Sequence, residues 1–300
     1  MKPTLITSTL RDEEKITMAI DKLGLRAERL PSDMGSRKGD WDTQSMTSRQ
    51  SSQMSQTRHN KMQESVLDHP KVLAKASHPI IRICLTGGPC AGKTTAMQTL
   101  NTRLMERGFC VFIVPEAATM LMKGGAFIQT GKMTFSDQVK FQINIMKTQM
   151  ALEDTFLEAA LSANQKVVIL CDRGVMDGMA YTDEHTWQAL LDETGWSTIQ
   201  LRDRRYEAVV HLVTAANGAA EFYTGENNEA RYETIEEAIE LDKKLINSWT
   251  GHPHLSIIEN RKASGFNEKI NSCINSVYKV IGLPTDTTYH KKFLLIMPQG

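Results

Sequence analysis

The sequence predicts an α/β fold, a mainly parallel five-stranded sheet with helices on both faces, and three observations carry that expectation. From about His78 onward, short apolar runs alternate with long helical patterns. The runs are apolar on successive rather than alternate positions, as strands covered on both faces should be. The first run leads directly into a glycine-rich loop and then a helical pattern, "LTGGPCAGKTTAM" from Leu85 to Met97. Strand and helix in alternation favour parallel pairing through crossover connections.

The elements follow in order. Residues 31–62, "PSDMGSRKGDWDTQSMTSRQSSQMSQTRHNKM", are Ser, Thr, Gln and charge with almost no branched aliphatic side chain. Such a segment buries too little apolar area to offset the ordering of its backbone, so residues 1–78 read as a largely disordered N-terminal arm. Serines near Arg37, Lys38, Arg49 and Arg58 also suit a phosphorylated docking segment. Five strands are expected at Ile80 to Leu85, Cys110 to Val114, Val167 to Cys171, Ala208 to Val213 and Leu255 to Ile258. Helices are expected at Lys93 to Arg107, around Phe135 to Ala163, and from Glu229. In the last, Tyr232, Ile235, Ile239, Leu245 and Trp249 fall on one face, Glu240 and Lys244 pair on the other, and Gly251 supplies a stop. Residues 79–284 are thus expected to form one domain, and 285–300 a tail.

Bulk properties remove several function classes. Hydrophobic residues at 41% and charged ones at 23% are ordinary for a globular chain, and 35 basic side chains cancel 35 acidic ones. A net charge of zero withdraws the simplest support for a nucleic-acid partner. The five cysteines, Cys84, Cys90, Cys110, Cys171 and Cys273, are scattered without paired spacing, which argues against a disulfide framework or zinc site. The N-terminal apolar run is too short for a signal sequence, and nothing approaches about 18 uninterrupted apolar residues, so the expectation is a cytoplasmic protein without a transmembrane segment.

Gly87-x-x-x-x-Gly92-Lys93-Thr94 follows a strand and precedes a helix, the context that makes this spacing a phosphate loop of the P-loop NTPase kind. Gly87, Gly88 and Gly92 let the backbone of Pro89, Cys90 and Ala91 curl so that successive N–H groups face a polyphosphate, with the helix N-terminus at Lys93, Thr94 and Thr95 adding partial positive charge. Lys93 would reach the β and γ phosphates, and the Thr94 hydroxyl would bind Mg²⁺. Cys90 is either a small tolerated side chain or a thiol whose oxidation blocks the loop.

In an open α/β sheet the ligand lies beyond the carboxyl ends of the strands. After "VVILC" come Asp172, suited to hold Mg²⁺ through water, and Arg173, suited to face a transferring phosphate. After "VFIVP" comes Glu116, either the general base of a small-molecule kinase or a carboxylate favoured in the first turn of a helix. "TAANGAAEFYTGENNEARYET" reads as a lid over the site, with Arg231 able to swing onto the phosphates. Two weaker candidates are a metal pair, His252 and His254, set against inert loop histidines, and "LRDRRYE" with Arg202, Arg204 and Arg205, a phosphate-binding patch or a solvated charged turn.

Five ordered blocks, "ICLTGGPCAGKTTAMQTL", "VPEAATML", "CDRGVMDGMAY", "AVVHLVTAANGAAEFYT" and "NNEARYETIEEAIELDKKLINSWTGHPHLSIIEN", resemble the TRPL translocation defect protein family, whose first domain is similar to NadR-type ribosylnicotinamide kinases. The likeness runs from about Ile81 to Leu283. It implies a GTP-binding P-loop protein, with ATP as the alternative nucleotide, that acts in trafficking of membrane proteins and associates with phosphoinositides, peripheral to endomembranes. Gly87 to Thr95 would cradle the phosphates, Asp172 would serve the metal, and Arg231 would belong to the lid. Guanine preference comes from the resemblance alone: the chain has no Asn/Thr-Lys-x-Asp stretch, and Asn260 is the nearest candidate to read the base. In the family a β-rich domain of CYTH type follows, beginning with a strand like "KKFLLI" at Lys291 to Ile296, so a chain ending at Gly300 is expected to lack it.

Overall fold

The first apolar run becomes β1 (Ile80–Gly87), and its place at the centre of the sheet accounts for its composition. A computed structural model describes residues 73–74, 76–126, 133–220, 223, 234–260 and 265–285. The strands β2 (Cys110–Val114), β3 (Val167–Asp172), β4 (Ala208–Leu212) and β5 (Leu255–Ile258) join β1 in the order β2-β3-β1-β4-β5. Every pairing is parallel, and β1 pairs with β3 from Ile80 opposite Val167 to Leu85 opposite Asp172.

Each central strand feeds two cores. Ile83 and Leu85 of β1 and Val168 and Leu170 of β3 pack with α1 (Lys93–Glu106) and α6 (Gly265–Ile281). Cys84, Val167, Ile169 and Cys171 face the other way, against α3 (Phe135–Leu161), α4 (Glu184–Thr194) and Trp249 of α5 (Ile235–Trp249). Burial on both faces is why successive positions had to be apolar. The shorter elements are α2 (Ala117–Lys123), a 3₁₀ helix at Val175–Tyr181 and a π-helical turn at Ile199–Asp203.

Thr134 starts α3 and Thr234 starts α5, each through a reciprocal capping box, with Asp137 and Glu237 respectively. The box at Thr234 corrects the helix expected from Glu229: an extended cap residue begins the helix at Ile235. It also shifts the buried face, because Ile235 is 40% exposed while Ala238, Asp242, Leu245 and Trp249 point inward. The sequence reading gave α4 and α6 no place.

The connection leaving β1 runs toward the β2 edge and that leaving β3 runs toward the β5 edge, so the switch point of the sheet lies between the adjacent strands β1 and β3. Ligands of such sheets bind outside the carboxyl ends of the strands at this point. None of the five cysteines is disulfide-bonded. Among the described residues, no helix is long and apolar enough to cross a membrane. The N-terminal arm, Arg231, Tyr232, most of the expected lid and the "KKFLLI" stretch lie outside the described residues.

Candidate nucleotide site

The phosphate-loop residues gather where β1 gives way to α1. Gly88 is fully enclosed: its N–H donates to Asp242 Oδ1 at 2.9 Å, and a Cβ there would lie 2.5 Å from that same oxygen. Gly92 caps α1 in the left-handed region, φ 90°, which glycine alone adopts without steric cost, and no side chain caps the helix behind it. The first-turn N–H groups of Lys93, Thr94 and Thr95 therefore face outward with the positive end of the helix dipole, as an anion site requires. Thr94 and Thr95 are exposed, Pro89, Cys90, Gly92 and Lys93 are half-buried, and Ala91 packs into the core. Cys90 is itself left-handed, φ 54°.

Lys93 stands among charges. Burial, and then Arg173, pull its ammonium pKa from 10.5 to about 8, against the restoring fields of Asp172, Glu116 and Asp177. Asp172 ends β3 with Oδ1 buried and without a hydrogen-bond partner. Burial raises its pKa, with Lys93 opposing the shift. An orphaned carboxylate oxygen beside the phosphate loop fits a hydrated divalent cation. Among the described residues no group of three or more His, Cys, Asp or Glu side chains could hold a metal, so Mg²⁺ here would need phosphate and water as its remaining ligands.

Arg173 is the second non-glycine residue in the left-handed region, φ 66°, fixed there by its N–H donating to Leu85 O at 2.9 Å. Its Nε lies 2.9 Å from Glu116 Oε1, an ion pair whose N–H is not aimed well enough to count as a hydrogen bond. Its Nη1 lies 3.4 Å from Asp177 Oδ2. Glu116 occupies the cap position of α2, yet its carboxylate caps no backbone; besides Arg173, it accepts the Thr119 hydroxyl at 2.7 Å. The helix-end reading accounts for where Glu116 sits but not for what its carboxylate does.

A cavity of about 300 Å³ opens beside this pair. Glu116, Arg173 and Asp177 form its polar edge, while Ala118, Phe141, Ile145, Met146 and Val175 form most of its wall. The edge residues are the same charges that act on Lys93, while no residue of the phosphate loop itself lines the cavity.

A buried network holds this arrangement from behind. Gln149 Oε1 accepts the Ala117 N–H at 3.0 Å, and its Nε2 donates to Glu153 Oε1 at 3.0 Å. The Tyr206 hydroxyl donates to the same Glu153 oxygen at 2.8 Å and accepts the Val175 N–H at 2.9 Å. The residues next to Glu116 and Gly174 are thus tied to one buried carboxylate. Arg205 neutralises it and also binds Asp154 Oδ1 at 2.6 Å.

Other sequence candidates resolve differently. Arg205 is 1% exposed, Arg202 is tied to Asp203 and the Thr250 carbonyl, and Arg204 alone is exposed, so "LRDRRYE" is neither a patch nor a solvated turn. His252 bonds Tyr206 O and receives the His254 N–H, while His254 Nδ1 meets Glu207 O; these backbone bonds support the inert reading of the pair. Asn260 uses Nδ2 on Thr214 O and Asn217 O, both at 2.7 Å, which leaves its Oδ1 for a base.

Asp177 and Asp242 were missed. Asp177 Oδ1 accepts the Thr86 hydroxyl at 2.7 Å and Trp249 Nε1 at 2.6 Å. Asp242 Oδ1 also accepts the Thr214 N–H and meets His211 Nε2, each at 3.1 Å. The available signal was a carboxylate inside an apolar stripe, which demands a buried partner.

The sequence model of a family described as an AAA domain matches residues 82–266, which takes in the phosphate loop, every strand but the start of β1, and the first residues of α6. No curated protein matches the chain.

Proposed function

The chain belongs to the AAA domain family, and from that premise we propose that it is a Mg²⁺-dependent GTP-binding protein acting in the trafficking of membrane proteins. Guanine preference, phosphoinositide association and a cytoplasmic place of action peripheral to endomembranes come from the resemblance to the TRPL translocation defect family. The nucleotide-binding domain in this reading is residues 79–284, flanked by 1–78 and 285–300.

The observation that supports triphosphate binding is the uncapped N-terminus of α1 at Gly92, with Lys93 within electrostatic reach of Asp172 and its orphaned oxygen. Lys93 would contact the β and γ phosphates, and Gly87 to Thr95 would supply the N–H cradle. The Thr94 hydroxyl and, through water, Asp172 would hold Mg²⁺, which when bound neutralises phosphate oxygens. Arg173 would face the terminal phosphate, and Arg231 is proposed as the lid arginine. The test is a calorimetric titration with GTP and with ATP, with and without Mg²⁺. GTP binding that needs Mg²⁺ and disappears in Lys93→Ala supports the reading; a wild-type protein that binds neither nucleotide sinks it.

A second reading, a kinase of a nucleoside-like small molecule with a nucleoside triphosphate as donor, is favoured by one observation: Glu116 lines a cavity, and its charge also acts on Lys93. Glu116 would take the proton of an acceptor hydroxyl while that oxygen bonds the γ-phosphorus and the bridging β–γ bond breaks, releasing the nucleoside diphosphate. Glu116→Gln should abolish transfer and spare donor binding. Equal transfer in that variant removes the idea.

A further inference from the structure

We propose that the exposed ring of Phe266, at the start of α6, is the surface on which the base of the bound nucleotide stacks. The assignment rests on the triphosphate-binding reading above and names the residue that holds the nucleoside end.

Phe266 is the second residue of α6, and helical spacing puts it one turn ahead of Lys269 and Ile270, the first residues of the buried stripe on that helix. The stripe packs into the core shared with α1, but Phe266 overruns it and lies against the phosphate loop. A Cβ on Gly92 would fall 2.6 Å from Phe266 Cε2 and 2.9 Å from Cζ, but 3.9 Å from Cδ2, so the ring meets the loop through its outer edge. That contact leaves the residue 46% exposed. Two other exposed aromatic side chains are partnered, Phe135 stacked on His185 and Tyr181 beneath Arg173. The ring of Phe266 has neither a second ring nor a cation over it among the described residues.

The polarity of the site decides which end of a nucleotide reaches this ring. Asp172, Arg173 and Glu116, whose charges act on Lys93, stand at or just past the ends of β3 and β2. With the β and γ phosphates drawn to that side, the nucleoside end of the chain points the other way, across β1 toward β4 and β5. The helix α6 packs on that half of the sheet, against β4, β5 and α1. A nucleoside leaving the cradle there passes over the first turn of α6, where a Cβ on Gly265 would meet nothing within 4 Å.

A lone exposed apolar side chain needs no ligand to explain it. What sets Phe266 apart is an open ring held at the nucleoside side of an anion site. A base brings a flat face of its own, and stacking it on an aromatic side chain is worth about five- to a hundredfold in affinity. Because every base has such a face, Phe266 supplies grip on the nucleoside rather than a choice of guanine over adenine.

The experiment compares GTP with inorganic tripolyphosphate, each with Mg²⁺, on the full chain by calorimetry, with tripolyphosphate measured by its displacement of GTP. Phe266→Leu keeps an apolar side chain against Gly92 but has no flat face. It should bind GTP about fivefold or more weakly and tripolyphosphate as the wild type does. Phe266→Trp, which keeps a flat face, should restore tight GTP binding, and the added indole fluorescence should be quenched by GTP and not by tripolyphosphate. Unchanged GTP affinity in Phe266→Leu, an equal loss for tripolyphosphate, or an added indole that GTP does not quench would each overturn the proposal. An equal loss would mean that the ring only shapes the loop. A wild type that binds neither GTP nor ATP refutes the nucleotide reading itself, whereas GTP bound equally by wild type and Phe266→Leu refutes the stacking assignment alone.

Discussion

Asp242 offers the sharpest test of how the phosphate loop is held. Its Oδ1 receives the N–H of Gly88 at 2.9 Å and of Thr214 at 3.1 Å, and it meets His211 Nε2 at 3.1 Å. The side chain is 2% exposed, so water does not readily replace it. In Asp242→Ala two backbone donors and an imidazole nitrogen lose their partner. At about 1–3 kcal/mol for each buried group left unsatisfied, and allowing for partial relaxation, the loss should be about 3–5 kcal/mol. That is a large share of the roughly 5–15 kcal/mol that keeps a domain folded. Asp242→Asn keeps an oxygen for the two N–H groups and should lose only about 1 kcal/mol, the charge-assisted part of the bonds. Denaturant titration gives the stabilities, and GTP titration on the folded fraction reports the loop. The alanine variant should bind nucleotide more weakly than the asparagine variant, because only alanine frees Gly88. A loss below about 1 kcal/mol in Asp242→Ala, with unchanged GTP affinity, would refute the reasoning, since it would mean that the bonds cost as much to form as they return.

Three further outcomes follow from the same geometry. Lys93 loses its proton near pH 8 in the empty site; triphosphate raises that pKa, so binding at about pH 8 should take up a proton and affinity should fall as pH rises further, measured by calorimetry in buffers of different ionisation enthalpy. Gly88→Ala places a methyl group 2.5 Å from Asp242 Oδ1 and 2.9 Å from Thr214 Cβ; it should abolish nucleotide binding in the same assay, and retained affinity would show that the loop yields. Glu153→Gln leaves Arg205 buried beside a neutral amide and should cost about 3 kcal/mol, partly offset by Asp154, as read by the denaturation midpoint.

The strands were legible because burial on both faces is a local property of each run. Cys110–Val114 and Leu255–Ile258 match the expected bounds, and the phosphate loop was legible because its spacing carries its own mechanism. Long-range pairing was not legible. "LRDRRYE" reads locally as a solvated turn, but the partner that buries Arg205 lies 52 residues earlier, at Glu153. Asp242 reads as one more charge on an acidic helix, and Gly88 lies 154 residues away. The α6 stripe of Ile270, Cys273, Ile274, Val277 and Tyr278 has helical spacing, yet alternation of strand and helix ends with the fifth strand and gives it no place.

These long-range contacts converge on α5. At its midpoint Asp242 accepts the Gly88 N–H of the phosphate loop, and at its end Trp249 Nε1 donates to Asp177, the residue that also receives Thr86 of β1 and faces Arg173. One rigid helix therefore touches both the phosphate cradle and the polar rim of the neighbouring cavity. A shift of α5 cannot alter one of these bonds without straining the other, because the packed helix moves as a unit. Occupancy of the cradle and occupancy of the cavity should consequently be coupled, and by linkage the coupling must be equal in both directions. The affinity of a nucleoside measured with and without bound GTP should differ by the same factor as the affinity of GTP measured with and without that nucleoside. Trp249→Phe, which keeps the ring in the core but removes the donor to Asp177, should reduce that factor toward one. Coupling of unchanged size in Trp249→Phe would show that it runs through β1 and β3 instead.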